Sequence, residues 1–151
     1  MARTVGGVID DEGPAWREQQ ARAVRAHAAA DERRRAAEQE AAAELVAEFA
    51  AEAGRRGLHP SPLVARPYQG NGRYRTPLRG WYIDRARIRA IDADGRFYLL
   101  TVPASLSARL LGVTPAPVPA PLVVGAGGRD GESIPLRTLL ERRLAAGDDW
   151  D

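Results

Sequence analysis

The stretch IDADGRFYLLTV, residues 91–102, sets β-branched and aromatic side chains on both sides of Asp94-Gly95. An Asp-Gly pair between two such runs is a strong short-range hairpin signal, because its second residue tolerates the positive φ that a tight turn needs. Ile88 and Ile91 supply the incoming strand and Arg96–Val102 the outgoing one. Working outward, Trp81, Tyr82 and Ile83 form a short apolar run, and Leu122, Val123 and Val124 read as a further strand. Ser105–Leu111 fits a short helix capped by Ser105. Pro135 opens a last helix whose Leu136, Leu139, Leu140 and Leu144 make one apolar stripe. Residues 80–146 are therefore expected to be a small domain with a mostly antiparallel three-stranded sheet and one or two helices.

The preceding half has a different composition. From Pro14 to Gly54 it is dominated by Ala, Arg, Glu and Gln with no internal Gly or Pro, which predicts one long charged helix over 14–56. Opposite charges recur at helical spacing in Glu18 with Arg22, Asp31 with Arg35, Arg34 with Glu38 and Glu52 with Arg56. Leu45, Val46, Phe49 and Ala53 share a face, so residues 44–56 are expected to dock on the core. Residues 17–43 offer only Val24 and alanines to a partner. A coiled-coil seam stops after Val24, where Asp31, Arg34 and Glu38 fall on the apolar positions, leaving an alanine seam for self-association. The whole chain thus reads as α+β.

Residues 1–13 are read as a disordered acidic N-terminus, with no apolar run long enough for a signal peptide or a spanning helix, and the protein is expected to be cytoplasmic. Residues 57–79 carry Pro60, Pro62, Pro67, Gly70, Gly72 and Pro77, a density of breakers that predicts a connector loop. Prolines at 115, 117, 119 and 121 predict an extended spacer. Gly125–Ser133 reads as a turn, since Glu132 stands where a phosphate loop needs lysine. Residues 147–151, GDDWD, read as an acidic unstructured tail with Trp150 as its one large anchor.

Little points to catalysis. The chain has no cysteine, which excludes thiolate chemistry and disulfides, and its two histidines, His27 and His59, have no second ligand at metal spacing. Both are expected to be solvated surface imidazoles. The serines lie in no nucleophile motif, and the acid pairs Asp10-Asp11 and Asp148-Asp149 sit in segments expected to leave them hydrated. No cofactor and no metal are expected; Asp84, Asp92 and Tyr82 remain as polar groups near the core that an unrecognised enzyme site could use.

All 22 basic residues are arginine, a bias that fits a GC-rich bacterial genome, and the positive excess is concentrated between residues 57 and 110, with nine arginines against three acids. Within it, Arg66, Arg73, Arg75, Arg79, Arg85, Arg87 and Arg89 stand among Tyr68, Tyr74, Trp81 and Tyr82. Guanidinium groups pair with phosphate and aromatic faces stack on bases, so Arg66–Arg89 is a candidate surface for nucleic acid or another polyanion, with Tyr68 and Tyr74 as stacking residues. The leading expectation is a non-enzymatic adaptor whose helix 14–56 contacts a protein partner or a second copy; the polyanion binder is the alternative. No membrane contact is expected.

Overall fold

A computed structural model describes residues 4–125 and 132–150, with side chains from Gly13 onward. The chain is α+β. It begins with helix α1 (Thr4–Arg55), followed by β1 (Ser61–Pro67), β2 (Tyr74–Tyr82), β3 (Arg89–Asp92), β4 (Phe97–Leu99), β5 (Thr101–Val102), α2 (Leu106–Leu111), β6 (Val123–Val124), β7 (Ile134–Pro135) and α3 (Leu136–Ala146). Two compact units divide the chain at Ala37/Glu38.

The first unit is helical from Thr4, so Pro14 lies inside α1 and does not open it, and the segment expected to be a disordered start is partly helix. Pro14 costs its own N–H and crowds the preceding turn, but nothing in its φ opposes the helix. Trp16 and Val24 stand exposed at 62% and 64%. Surface pairs support this stretch weakly: Arg22 reaches Glu18 at 3.5 Å, and Arg34 turns back to Asp31 at 2.8 Å, where a bond to Glu38 was expected.

The second unit holds the core. Ala42, Val46, Phe49, Ala50 and Ala53 of α1 are buried against Trp81, Ile91 and Phe97 of the sheet and Leu136 and Leu140 of α3, as the apolar face over 44–56 predicts. Phe49 meets Trp81 edge to face at 5.8 Å, a favoured aromatic geometry. Below this face, Glu52 binds Arg55 and Arg56, and the two guanidinium groups, Arg56 first, hold its carboxyl below the ordinary range.

Residues 57–79 are not a connector. They hold β1 and the first half of β2, and the sheet contains five strands in the order β4-β3-β2-β1-β5. The prolines fall where no ladder bond is lost. Arg66 and Tyr68 donate to the carbonyls of Leu100 and Val102, so Pro67 between them has no N–H to contribute. Pro77 lies in a bulge, where the register jumps from Val64↔Arg75 to Pro62↔Arg79, and the Thr76 hydroxyl caps the Leu63 carbonyl there.

Leu100 ties the two edges of the sheet together. Its N–H donates to Ile88 at 2.7 Å and its carbonyl accepts from Arg66 at 2.8 Å, so the run 97–102 pairs β3 with its first part and β1 with its second. The strands thereby curl around a small inner cluster of Leu63, Ala90, Tyr98 and Leu100, flanked by Leu78 and Tyr82. Closure of this kind removes the unpaired edges that invite aggregation.

The expected hairpin is present: Gly95 has φ 82° and donates to the Asp92 carbonyl, and β3 and β4 pair through Ile91↔Phe97. Ser105 caps α2 by accepting from the Ala108 N–H, and α3 follows Pro135 with Leu136 and Leu140 buried. The proline-rich run 113–121 forms no helix or strand, and Val118 donates to the Phe97 carbonyl. Residues 126–131 of the glycine-rich turn lie outside the described residues.

Candidate functional site, a basic cleft holding its own acidic segment

The seven middle arginines do not share one surface. Arg75 donates to the Leu110 carbonyl and Arg79 to the Pro60 carbonyl, while Arg89 pairs with Asp84 at 2.9 Å. Arg66 on β1 and Arg85 after β2 are exposed. Only Arg73 and Arg87 are brought together, in a cleft of about 350 Å³ lined also by His59, Val64, Tyr82, Arg143, Asp148 and Trp150. The stacking pair is likewise split. Tyr68 is 66% exposed, but Tyr74 is buried beside Ala65 and Ala108, its hydroxyl accepting from the Ser105 N–H.

Besides His59, Val64 and Arg73, three chain segments contribute to the cleft. The turn after β2 is organised by Asp84, whose carboxylate accepts from the backbone of Ile88 and Arg89 and from the Arg89 guanidinium. That turn holds Arg87 at φ 58°, an uncommon conformation for a residue with a side chain, and lays its guanidinium 5.5 Å over the Tyr82 ring. The Tyr82 hydroxyl accepts from the Val64 N–H at 2.9 Å across the sheet.

Arg143 enters from α3. It is 7% exposed, with Nε donating to the Tyr82 carbonyl at 2.8 Å and one terminal nitrogen to the Gly147 carbonyl at 2.7 Å. Its guanidinium lies 4.7 Å over the Trp150 ring. The third segment is 147–150, which does not hang free as an acidic tail would. Asp148 accepts from the His59 N–H at 3.0 Å through one carboxylate oxygen and meets His59 Nδ1 at 2.7 Å through the other.

Hydrogen bonds from His59, side chain before backbone, with the nearby charge of Arg143 last, hold the Asp148 carboxyl below its ordinary 3.8. The shift comes from bonding to the charged form and owes nothing to burial, since desolvation acts the other way. A depressed carboxyl contributes its grip in full above pH 3.8 and loses it as the pH falls through its lower folded value. Acidification below pH 3.8 is therefore expected to release residues 147–150 from His59 and Arg143 before the core unfolds, read as a shift of the Trp150 indole resonance ahead of the Trp81 one. Simultaneous movement of both would refute it.

The remaining polar groups near the core serve the fold. Buried Asp92 accepts from the Tyr98 hydroxyl at 2.9 Å and from the backbone of Asp94 and Arg96, closing the hairpin turn. Burial first, and then donation to Asp92, push the Tyr98 phenol up. Among the described residues there is no cluster of three or more His, Asp or Glu that could hold a metal, and no helix is long and apolar enough to cross a membrane.

His59, Arg143, Asp148 and Trp150 were not among the residues that sequence reasoning picked for a site. One signal for Arg143 was present: it lies three residues after Leu140, a cation on the buried stripe of α3. A second surface was equally unmarked. The six-residue α2 buries Ala108 and exposes Leu106, Leu110 and Leu111 at 74%, 66% and 83%.

Comparison of the chain with protein-family models, with curated proteins and with solved structures finds no match.

Proposed function

We propose that the protein is a non-enzymatic interaction module that associates with a second copy through exposed apolar side chains, chiefly those of α2. The observation that carries this reading is the trio of exposed leucines on a helix too short to need them for its own stability. Ser105 caps one end, and at the other Gly112, with φ 81°, passes the chain to Val113, whose N–H donates to the Arg75 carbonyl at 2.8 Å. With Ala108 set against Ala65 and Tyr74, α2 presents its leucines from a fixed base. Full burial of a leucine contributes about 1.5 to 3 kcal/mol, so three of them at one contact can sustain association. Trp16 and Val24 offer apolar contacts on α1 by the same reasoning.

The alternative of a polyanion track draws less support. A phosphate backbone is held by guanidinium groups along one groove, and Arg75, Arg79 and Arg89 already donate to neighbours elsewhere.

Light scattering over a range of concentrations tests the association. The wild-type mass is expected to rise toward twice that of one chain, and Leu110→Gln with Leu111→Gln to weaken the dimer about tenfold or more, which corresponds to ~1.4 kcal/mol. Both leucines are surface residues, so folding should be little affected. Paired Trp16→Ala and Val24→Ala substitutions measure the contribution of α1. A single-chain mass at every concentration would sink the proposal.

A further inference from the structure

We infer that the basic cleft is a docking site for an acidic, tryptophan-bearing segment of a partner protein, and that residues 147–150 occupy it in the free chain as an exchangeable stand-in. The chemistry of the occupant is written in the contacts. A carboxylate is gripped by both the backbone and the ring of His59, and an indole lies against the Arg143 guanidinium. Arg143 also holds the backbone of the segment through the Gly147 carbonyl, so the cleft recognises main chain as well as side chains.

Two features make that occupant replaceable. The polar grip is wet: the side chains of His59 and Asp148 are 86% and 49% exposed, and polar contacts so open to water contribute little. The segment also leaves the cleft partly empty, since a cavity of about 350 Å³ remains with Asp148 and Trp150 in its wall. Arg73 lines the same space and makes no hydrogen bond or ion pair among the described residues. A partner segment with one further acid can reach Arg73 where residues 147–150 do not. Two carboxylates and an indole thus describe the ligand, with the second carboxylate set for Arg73.

The inference deepens the interaction-module reading by naming a partner chemistry, but it rests on different residues from the α2 contact. Loss of self-association with peptide binding intact would remove only the former.

The probe is a fluorescein-labelled peptide with the sequence of residues 146–151, AGDDWD, titrated against the full chain by fluorescence anisotropy. In the wild type the peptide competes with a tethered copy of itself, whose effective concentration is on the order of millimolar. Trp150→Ala disables that competitor, so peptide affinity is expected to rise about tenfold or more, and Asp148→Asn to act in the same direction. Arg73→Glu is expected to lower, in either background, the affinity of the same peptide carrying one further aspartate, the acid that Arg73 is left to receive. Near-UV circular dichroism of each variant verifies that the core is intact, and Asp148→Asn serves if Trp150→Ala fails to fold. Equal affinity for wild type and the two variants, no binding to either variant, or equal binding of a peptide with its aspartates changed to asparagine would each overturn the inference.

Discussion

Replacement of Gly80 by alanine is expected to destabilise the protein by about 3 kcal/mol, lowering its melting temperature by on the order of 10 °C. Gly80 pairs with Asp92 across the β2–β3 ladder. A Cβ there would fall inside the van der Waals radius of the Ile91 carbonyl oxygen and 2.6 Å from the Asp92 Cα. Both are backbone atoms, and neither can rotate away as a side chain would. Relief requires separating β2 from β3, and that shift would carry Trp81 out of the core and Asp92 away from the Tyr98 hydroxyl. Gly54→Ala is the internal control. Gly54 lies in α1 with nothing within 4 Å of an added Cβ, so alanine should be neutral or stabilising by up to about 1 kcal/mol through helix propensity. Thermal melts of the two variants separate close approach from a general intolerance of methyl groups, and equal melting temperatures would refute the argument.

Phe49→Ala is expected to cost about 3 to 5 kcal/mol in urea unfolding. The side chain is 2% exposed, and its removal leaves a cavity between α1, Trp81 and α3 while depriving Trp81 of its edge-on partner. Trp81 is a sensitive place for such a loss, because its indole nitrogen is already buried without a hydrogen-bond partner. Val24→Ala, on the same helix but 64% exposed, should change stability by less than about 0.5 kcal/mol. The contrast measures which part of α1 the fold depends on. A small effect of Phe49→Ala would mean that the helix end is not needed by the sheet.

Local signals were the legible part of this chain. The apolar face of 44–56, the Asp94-Gly95 turn, the Ser105 cap and the leucine stripe of α3 each act within a few residues, and each element lies where its signal predicts. β1 and the first half of β2 were hidden for a physical reason. Pro62, Pro67 and Pro77 are strand breakers by composition, and only the pairing partners reveal that their missing N–H groups fall at a strand end, between two donors and in a bulge. Tyr74, read as a stacking surface, is a core residue because its place in β2 puts it opposite Ala65.

The candidate site was the least legible part. His59 and Asp148 are 89 residues apart and Arg143 and Tyr82 61 apart, and no periodicity connects groups at such separations. Composition and short-range pattern were enough to determine that the chain is α+β, that its positive excess lies in the middle, and which helix face enters the core. Tertiary structure alone decided that Leu100 would close the sheet on β1, that most of the seven arginines would part company, and that a charged segment would fold back onto a histidine. Those outcomes depend on hydrogen bonds and guanidinium contacts between segments far apart in sequence, which no local pattern encodes.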